Sequence, residues 1–180
     1  MCPHGGELGG QQDERPASGR PASGRLASDW PADDLATLVF CLRGSQVLLI
    51  EKKRGLGAGK VNGPGGKLEP GESAADCARR EVAEETGLIV GAVSARGELR
   101  FAFADGYRLR VFVFVSSDVE GSPHPTDEAD PFWCERDAIP FDRMWADDRL
   151  WLDRVLAGAR VDGALDFDSD TLLSYHLSYR

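Results

Sequence analysis

From Leu35 onward apolar and polar positions recur with regular spacing. Residues 36–42 and 46–52 are apolar, β-prone runs joined by Arg43-Gly44-Ser45, a hairpin signal. A glycine-dense loop follows at 55–66. The spacing over residues 73–86 predicts a helix, with Ser73 as N-cap, Asp76 three positions on, and Gly87 at the left-handed position after the last turn. Residues 88–93 and 97–104 read as strands. The Asp105-Gly106 turn leads into 108–116, where Leu109, Val111, Val113 and Val115 alternate with Arg108, Arg110, Phe112 and Phe114. A short strand is expected at 132–134, a second helix at 147–156, and a closing hairpin from 164–167 and 172–179. Helices and strands mix without strict alternation, which favours an α+β fold with a mixed β-sheet over a doubly wound one.

Residues 1–30 have a different character. A Pro-Ala-Ser-Gly-Arg stretch at 16–20 is repeated at 21–25 amid Gly, Gln and Ser, a composition that buries too little apolar area to offset ordering entropy. We therefore expect a disordered tail over 1–30 and one folded domain over 31–180. A chain of 180 residues with 42% hydrophobic and 28% charged content suits a single globular domain. No run approaches the roughly 20 apolar residues of a membrane helix, so no membrane partner is expected. The net charge of −9 repels phosphate backbones and argues against a nucleic-acid polymer, yet allows a small phosphorylated ligand bridged by cations. Cys41, Cys77 and Cys134 sit among apolar neighbours and read as reduced thiols. Without a secretory leader, a cytoplasmic location is the expectation, and a monomer is expected.

The chemistry concentrates in the first helix. At 100° per residue, Glu81, Glu84 and Glu85 fall within roughly a 100° arc. Like charges at these spacings repel by a few tenths of a kcal/mol. Anionic side chains in a last turn also oppose the helix dipole, by about 0.3–1 kcal/mol each when exposed. Arg80 offsets part of this by pairing with Glu84 at i+4. A divalent cation such as Mg²⁺ or Mn²⁺, which takes hard oxygen ligands, offsets far more. A solvated acidic face is the bland alternative.

The stretch from Gly66 to Leu88 resembles the signature of the Nudix hydrolases: Gly, five residues, Glu, seven residues, then Arg-Glu-apolar-x-Glu-Glu-x-Gly-apolar. Every fixed position matches, against a chance on the order of 10⁻⁹ per window. The resemblance implies the Nudix α/β/α sandwich and Mg²⁺-assisted hydrolysis of a nucleoside diphosphate linked to a further group. Carried over by position, Glu81, Glu84 and Glu85 are metal ligands, Arg80 orients the carboxylates, and Glu72 is a variable participant. Gly66 and Gly87 permit the backbone geometry at either end. Glu85 is one candidate general base, and Glu128 another.

The similarity extends to the oxidised-purine nucleoside triphosphate diphosphatases of the MutT-like branch. It rests on Thr37-Leu-Val, Val47-Leu-Leu, Lys52-Lys-Arg-Gly-Leu-Gly-Ala-Gly59, Asn62-Gly, Thr126-Asp-Glu128, the stretch from Ile139 to Trp151, and residues 167–177. It implies that Asn62, Asp147 and Asp148 read the base edge, that Trp145 stacks on the purine, that Thr37 and Lys52 line the pocket, and that Glu128 lies near the metals. Physically, two adjacent carboxylates in a dry pocket do not readily both ionise, so one can donate while its neighbour accepts. Taken alone, Asp147-Asp148 also matches an ordinary helix N-terminus, Asn62-Gly63 a turn, Trp145 a core residue, and Glu128 a loop charge. Leu56 and Val61 stand where relatives tend to carry aromatics, implying weaker stacking or a roomier pocket, and Pro64 stiffens the loop.

The expected activity is thus Mg²⁺-dependent hydrolysis of oxidised purine nucleoside triphosphates to the monophosphate and pyrophosphate, sanitising the nucleotide pool. The alternatives are a Nudix hydrolase of unmodified nucleoside triphosphates, ADP-ribose or a dinucleoside polyphosphate, and a non-catalytic nucleotide-binding module.

Overall fold

The computed structural model describes residues 30–180. The tail expected over residues 1–30 therefore lies outside the described residues apart from Trp30. The first hairpin forms as its turn predicts. Strands β1 (Asp34–Arg43) and β2 (Gln46–Lys52) pair antiparallel at Leu42↔Val47 and Arg43↔Gln46, with Gly44 at a φ of 60° in the turn. Beyond those two pairs the strands splay apart. β2 continues by pairing with β3 (Val61–Asn62) and β8 (Ala129–Glu135). β1 runs parallel to β6 (Arg108–Ser116), which pairs antiparallel with β5 (Ser94–Phe103). β9 (Val161–Asp168) lies parallel to β5, and β10 (Thr171–Tyr179) closes the edge. The eight-stranded sheet is mixed, in the order β10-β9-β5-β6-β1-β2-β3, with β8 on β2.

Side-chain alternation along β1 explains the layering. Val39 and Cys41 point to one face, where they pack with Leu48 of β2 and with Ala78 and Val82 of the helix α1 (Ala74–Thr86). Leu38 and Phe40 point to the other, against Trp151, Leu152 and Val155 of α2 (Asp148–Leu156). A mixed sheet between two helices is the expected α+β arrangement. Cys41 and Cys77 are buried, Cys134 is half-buried, and all three are free thiols. None of the described helices is long and apolar enough to cross a membrane.

Three elements depart from the expectation. Of residues 88–93 only β4 (Ile89–Val90) is a strand, paired in a separate two-stranded sheet with β7 (Val119–Glu120). β3 arises inside the glycine-dense loop, recruited by Ile50 and Glu51 across the sheet rather than by its own two residues. β8 begins at Ala129, not at 132. The strand runs through Pro131, since an edge position needs no N–H from it.

Gly97 marks a β-bulge in β5 with φ of 113°, where an added Cβ would stand 1.7 Å from the Val161 carbonyl oxygen. Gly97→Ala is expected to destabilise the domain by about 2–4 kcal/mol, from left-handed strain plus the clash. Urea denaturation checks this; a loss below ~1 kcal/mol would mean that the β5–β9 pairing yields without cost.

Candidate active site

Where β1 and β2 separate, the free side of β1 is taken by residues 64–68. Thr37 N donates to the Gly66 carbonyl at 2.8 Å, Val39 N to that of Pro64 at 2.8 Å, and Leu68 N to that of Leu35 at 2.9 Å. The segment passes between the sheet and α1 because it has no side chains there. A Cβ on Gly65 would lie 2.1 Å from the Thr37 carbonyl oxygen, and one on Gly66 would lie 2.4 Å from the Glu81 carboxylate.

α1 is closed at both ends as its sequence predicts. Ser73 Oγ accepts from Asp76 N at 3.1 Å, and Gly87 takes a φ of 76°. Along the helix, Arg80 organises the acidic groups. Its guanidinium donates to both Glu72 oxygens at 2.8 and 2.9 Å, to Glu81 Oε1 at 2.7 Å, to Glu84 Oε2 at 3.0 Å and to the Lys67 carbonyl at 3.1 Å. These bonds hold the Glu72 carboxyl down to about 2. Glu81 is driven the other way: burial raises it in spite of Arg80. Glu85, only 1% exposed, accepts from Lys52 Nζ at 3.3 Å and from Gly65 N at 2.8 Å, and burial again outweighs these partners and raises its pKa.

A cavity of about 450 Å³ opens beside this helix. Glu81 and Glu85 reach its lining from α1, with Lys52 and Glu128; Asp147 and Asp148 reach it from the start of α2, with Trp145 and Asn62; Phe101, Phe103 and Tyr107 also line it. Trp145 meets Phe167 edge-on at 5.6 Å and carries Lys60 Nζ 5.0 Å above its ring. Asn62 Oδ1 accepts from Gly63 N at 2.9 Å. Thr37 Oγ1 lies 3.4 Å from Cys77 Sγ.

The two aspartates are buried, unlike the residues of an ordinary solvent-facing helix start. Asp147 stands at the N-cap of α2 without capping it. Its Oδ2 accepts from Trp151 Nε1 at 2.9 Å, while Oδ1 is buried without a partner among the described residues. Asp148 Oδ2 accepts from Trp145 N at 3.1 Å. Burial raises both carboxyls, and repulsion from Asp147 raises Asp148 further.

The donor set suits a divalent cation by chemistry, since hard carboxylate oxygens of Glu81, Glu85 and Glu128 line the cavity and Glu84 stands beside Glu85 on α1. Among the described residues, no three acidic side chains yet share a common ligating point. Glu84 is 52% exposed and turned to Arg80, and Glu128 is paired with Arg54 at the rim. Protein cations currently occupy the anionic groups that a metal would take.

A family model for the NUDIX domain matches residues 33–155. The chain belongs to the Nudix family. It is 42% identical over 143 residues to the oxidized purine nucleoside triphosphate hydrolase of Danio rerio, covering 79% of this chain and 92% of that one. The Mus musculus protein of the same name is also 42% identical, over 145 residues, covering 79% and 93%. Among solved structures, the Mutator MutT protein of Bacillus halodurans superposes with a TM-score of 0.71 at 28% identity, covering 81% of this chain and 97% of that one. Nudix hydrolases use divalent metal ions.

Within this Nudix domain, Thr37, Lys52, Asn62, Trp145, Asp147, Asp148, Glu81, Glu85 and Glu128 all line one cavity, whereas Arg80 and Glu84 lie outside its lining. The sequence reading missed the walls. Phe101 and Phe103 carry a detectable signal, alternate aromatics on a predicted strand, but Tyr107 and Lys67 do not. Leu56 lines the cavity and is half exposed, while Val61 is fully buried in the core.

The aspartate pair fixes a pH dependence. In the unfolded chain Asp148 loses its proton near pH 4, whereas the folded pair keeps one to higher pH, so folding becomes less favourable as pH rises through that window. Asp148→Asn should gain stability over the wild type there by up to about 1.4 kcal/mol per pH unit. Urea titrations near pH 4, 6 and 8 measure it. A difference that stays flat with pH would mean that Asp148 ionises like an exposed carboxylate.

Proposed function

We propose that this protein hydrolyses oxidised purine nucleoside triphosphates to the monophosphate and pyrophosphate with Mg²⁺, and so removes damaged nucleotides from the pool. The observation that carries the reading is the buried Asp147–Asp148 pair facing the same cavity as Asn62 and Trp145, with Glu81 and Glu85 of α1 in the same lining. A purine oxidised at C8 gains a carbonyl acceptor there, and its N7 changes from acceptor to N–H donor. A carboxyl pair holding one proton offers both, and Asn62 adds one of each. The Asp147 Oδ1 without a partner is a group that such a ligand would satisfy. Trp145 supplies the aromatic face.

Glu81, Glu84, Glu85 and Glu128 would hold the metal, which when bound supplies Lewis acidity and neutralises triphosphate charge. Lys52 adds a fixed positive charge at that end. Arg80, locked on Glu72, orients the Glu81 and Glu84 carboxylates. Glu85 and Glu128 are the two candidates for taking the proton of the attacking water. The relatives named for oxidised purine nucleotides support the substrate class.

The direct test is a panel of 8-oxo-dGTP, 2-hydroxy-dATP, dGTP and dATP with Mg²⁺, identifying the phosphate product. Preferred turnover of the oxidised forms with pyrophosphate release is expected. Equal turnover of plain and oxidised substrates, or release of orthophosphate, would sink the assignment.

Two variants probe the two ends separately. Glu84→Gln is expected to lower kcat by about 100-fold while unfolding stays cooperative, because its side chain is half exposed and pairs with Arg80 at the surface of α1. A near-normal rate at saturating Mg²⁺ refutes its role as ligand. Asp147→Asn is expected to change the ratio of 8-oxo-dGTP to 2-hydroxy-dATP turnover by about tenfold, with metal dependence unaltered; an unchanged ratio removes it from base reading.

A further inference from the structure

Three polar groups from separate segments meet at the rim of the cavity. Tyr107 Oη donates to Asp34 Oδ2 at 2.9 Å, and Lys67 Nζ donates to the same oxygen at 2.7 Å. Lys67 Nζ also lies 5.6 Å from the centroid of the Tyr107 ring. Asp34 opens β1, Tyr107 follows the turn at Gly106, and Lys67 follows Gly66. Tyr107 and Lys67 both line the cavity.

Their position is defined from two sides. Lys67 is chained to Gly66, whose backbone abuts the Glu81 carboxylate, at the end where phosphates belong. The Tyr107 ring packs on Phe103 at 5.8 Å, and Phe103 meets the edge of Trp145 at 6.4 Å, at the end where the base belongs. The part of a nucleotide between base and phosphates is the pentose.

We propose that Tyr107, held by Asp34, is the pentose contact of this cavity, its hydroxyl oxygen accepting a hydrogen bond from the sugar 3′-hydroxyl. The inference rests on the nucleotide reading above. The Asp34 carboxyl is held below its usual range by Lys67 and Tyr107, so it stays an acceptor. The one phenolic hydrogen is therefore spent on Asp34. Burial, then Asp34, raises the Tyr107 phenol, which remains protonated at neutral pH. What the hydroxyl still offers is a lone pair. Phosphate oxygens and base carbonyls cannot use it, since they too are acceptors, and the base N–H donors are the groups assigned above to Asp147, Asp148 and Asn62. A sugar hydroxyl can, and the 3′-hydroxyl is the only one that a 2′-deoxy nucleotide carries.

The test is a four-way comparison of kcat/KM. Wild type and Tyr107→Phe are each measured on 8-oxo-dGTP and on its 2′,3′-dideoxy form. Removing the 3′-hydroxyl should cost the wild type about five- to tenfold, mainly in KM, and the variant less than about twofold. An equal penalty in both proteins, or none in the wild type, overturns the contact. Asp34→Asn, which frees the Tyr107 hydroxyl to turn, should weaken the same coupling and serves if Tyr107→Phe proves unstable. Running the same pairs on dGTP and its dideoxy form keeps the two readings apart. Absence of preference for the oxidised base defeats the substrate assignment, whereas the sugar coupling is judged within each pair.

Discussion

The backbone of residues 64–66 lying between β1 and α1 is the constraint on which the rest depends. On one side Gly66 and Pro64 carbonyls accept the amides of Thr37 and Val39, and on the other Gly65 N donates to Glu85. Neither contact survives a side chain at Gly65 or Gly66, because the space is already filled by the Thr37 carbonyl and the Glu81 carboxylate. The segment thus completes β1 where β2 has left it, and it sets α1 at a fixed height over the sheet. The splay of β1 from β2 is what makes a cavity possible, and the glycines are what keep its near wall closed.

That placement gathers negative charge at an unfavourable end of a helix. Glu84 and Glu85 stand in the last turn of α1 with no basic residue there to complement the dipole. The compensation comes from elsewhere in the chain. Arg80 spans Glu72, Glu81 and Glu84, Lys52 reaches Glu85 from β2, and Arg54 reaches Glu128. Each carboxylate has a cation within reach, yet Glu81 and Glu85 are still pushed up by burial, so the arrangement remains short of positive charge. A divalent ion and the groups that it carries fit that deficit better than further side chains, which would have to fill the cavity to supply it.

Local signals in the sequence account for much of the fold. The first hairpin, the capped α1 and the alternating β6 each follow from turn residues, caps or period, all written within about a dozen positions. The elements that escaped depend on distant partners. β3 exists because β2 offers an edge, and β8 extends through Pro131 because only one side of it is paired. The site divides in the same way. Glu81, Glu84, Glu85 and Arg80 are legible from helical spacing, whereas Asp147 and Asp148 carry the local pattern of a cap and are nothing of the kind. Their burial against Trp151 and Trp145 is set by where β9 and the sheet place α2. The Tyr107–Asp34 bond joins residues 73 apart, a distance at which no local pattern speaks.

The cavity therefore holds acidic side chains in two electrostatic regimes. At the α1 end each carboxylate has a cationic partner, which favours the charged form against burial. At the α2 end Asp147 and Asp148 have only a Trp N–H, a backbone N–H and each other, and nothing positive counters their desolvation. Fixed cations favour the charged, metal-attracting form of a carboxylate, whereas burial with no cation beside them pushes Asp147 and Asp148 toward the protonated form. Acidic side chains, sorted by the presence or absence of a neighbouring cation, thereby stand in two electrostatic settings around one cavity.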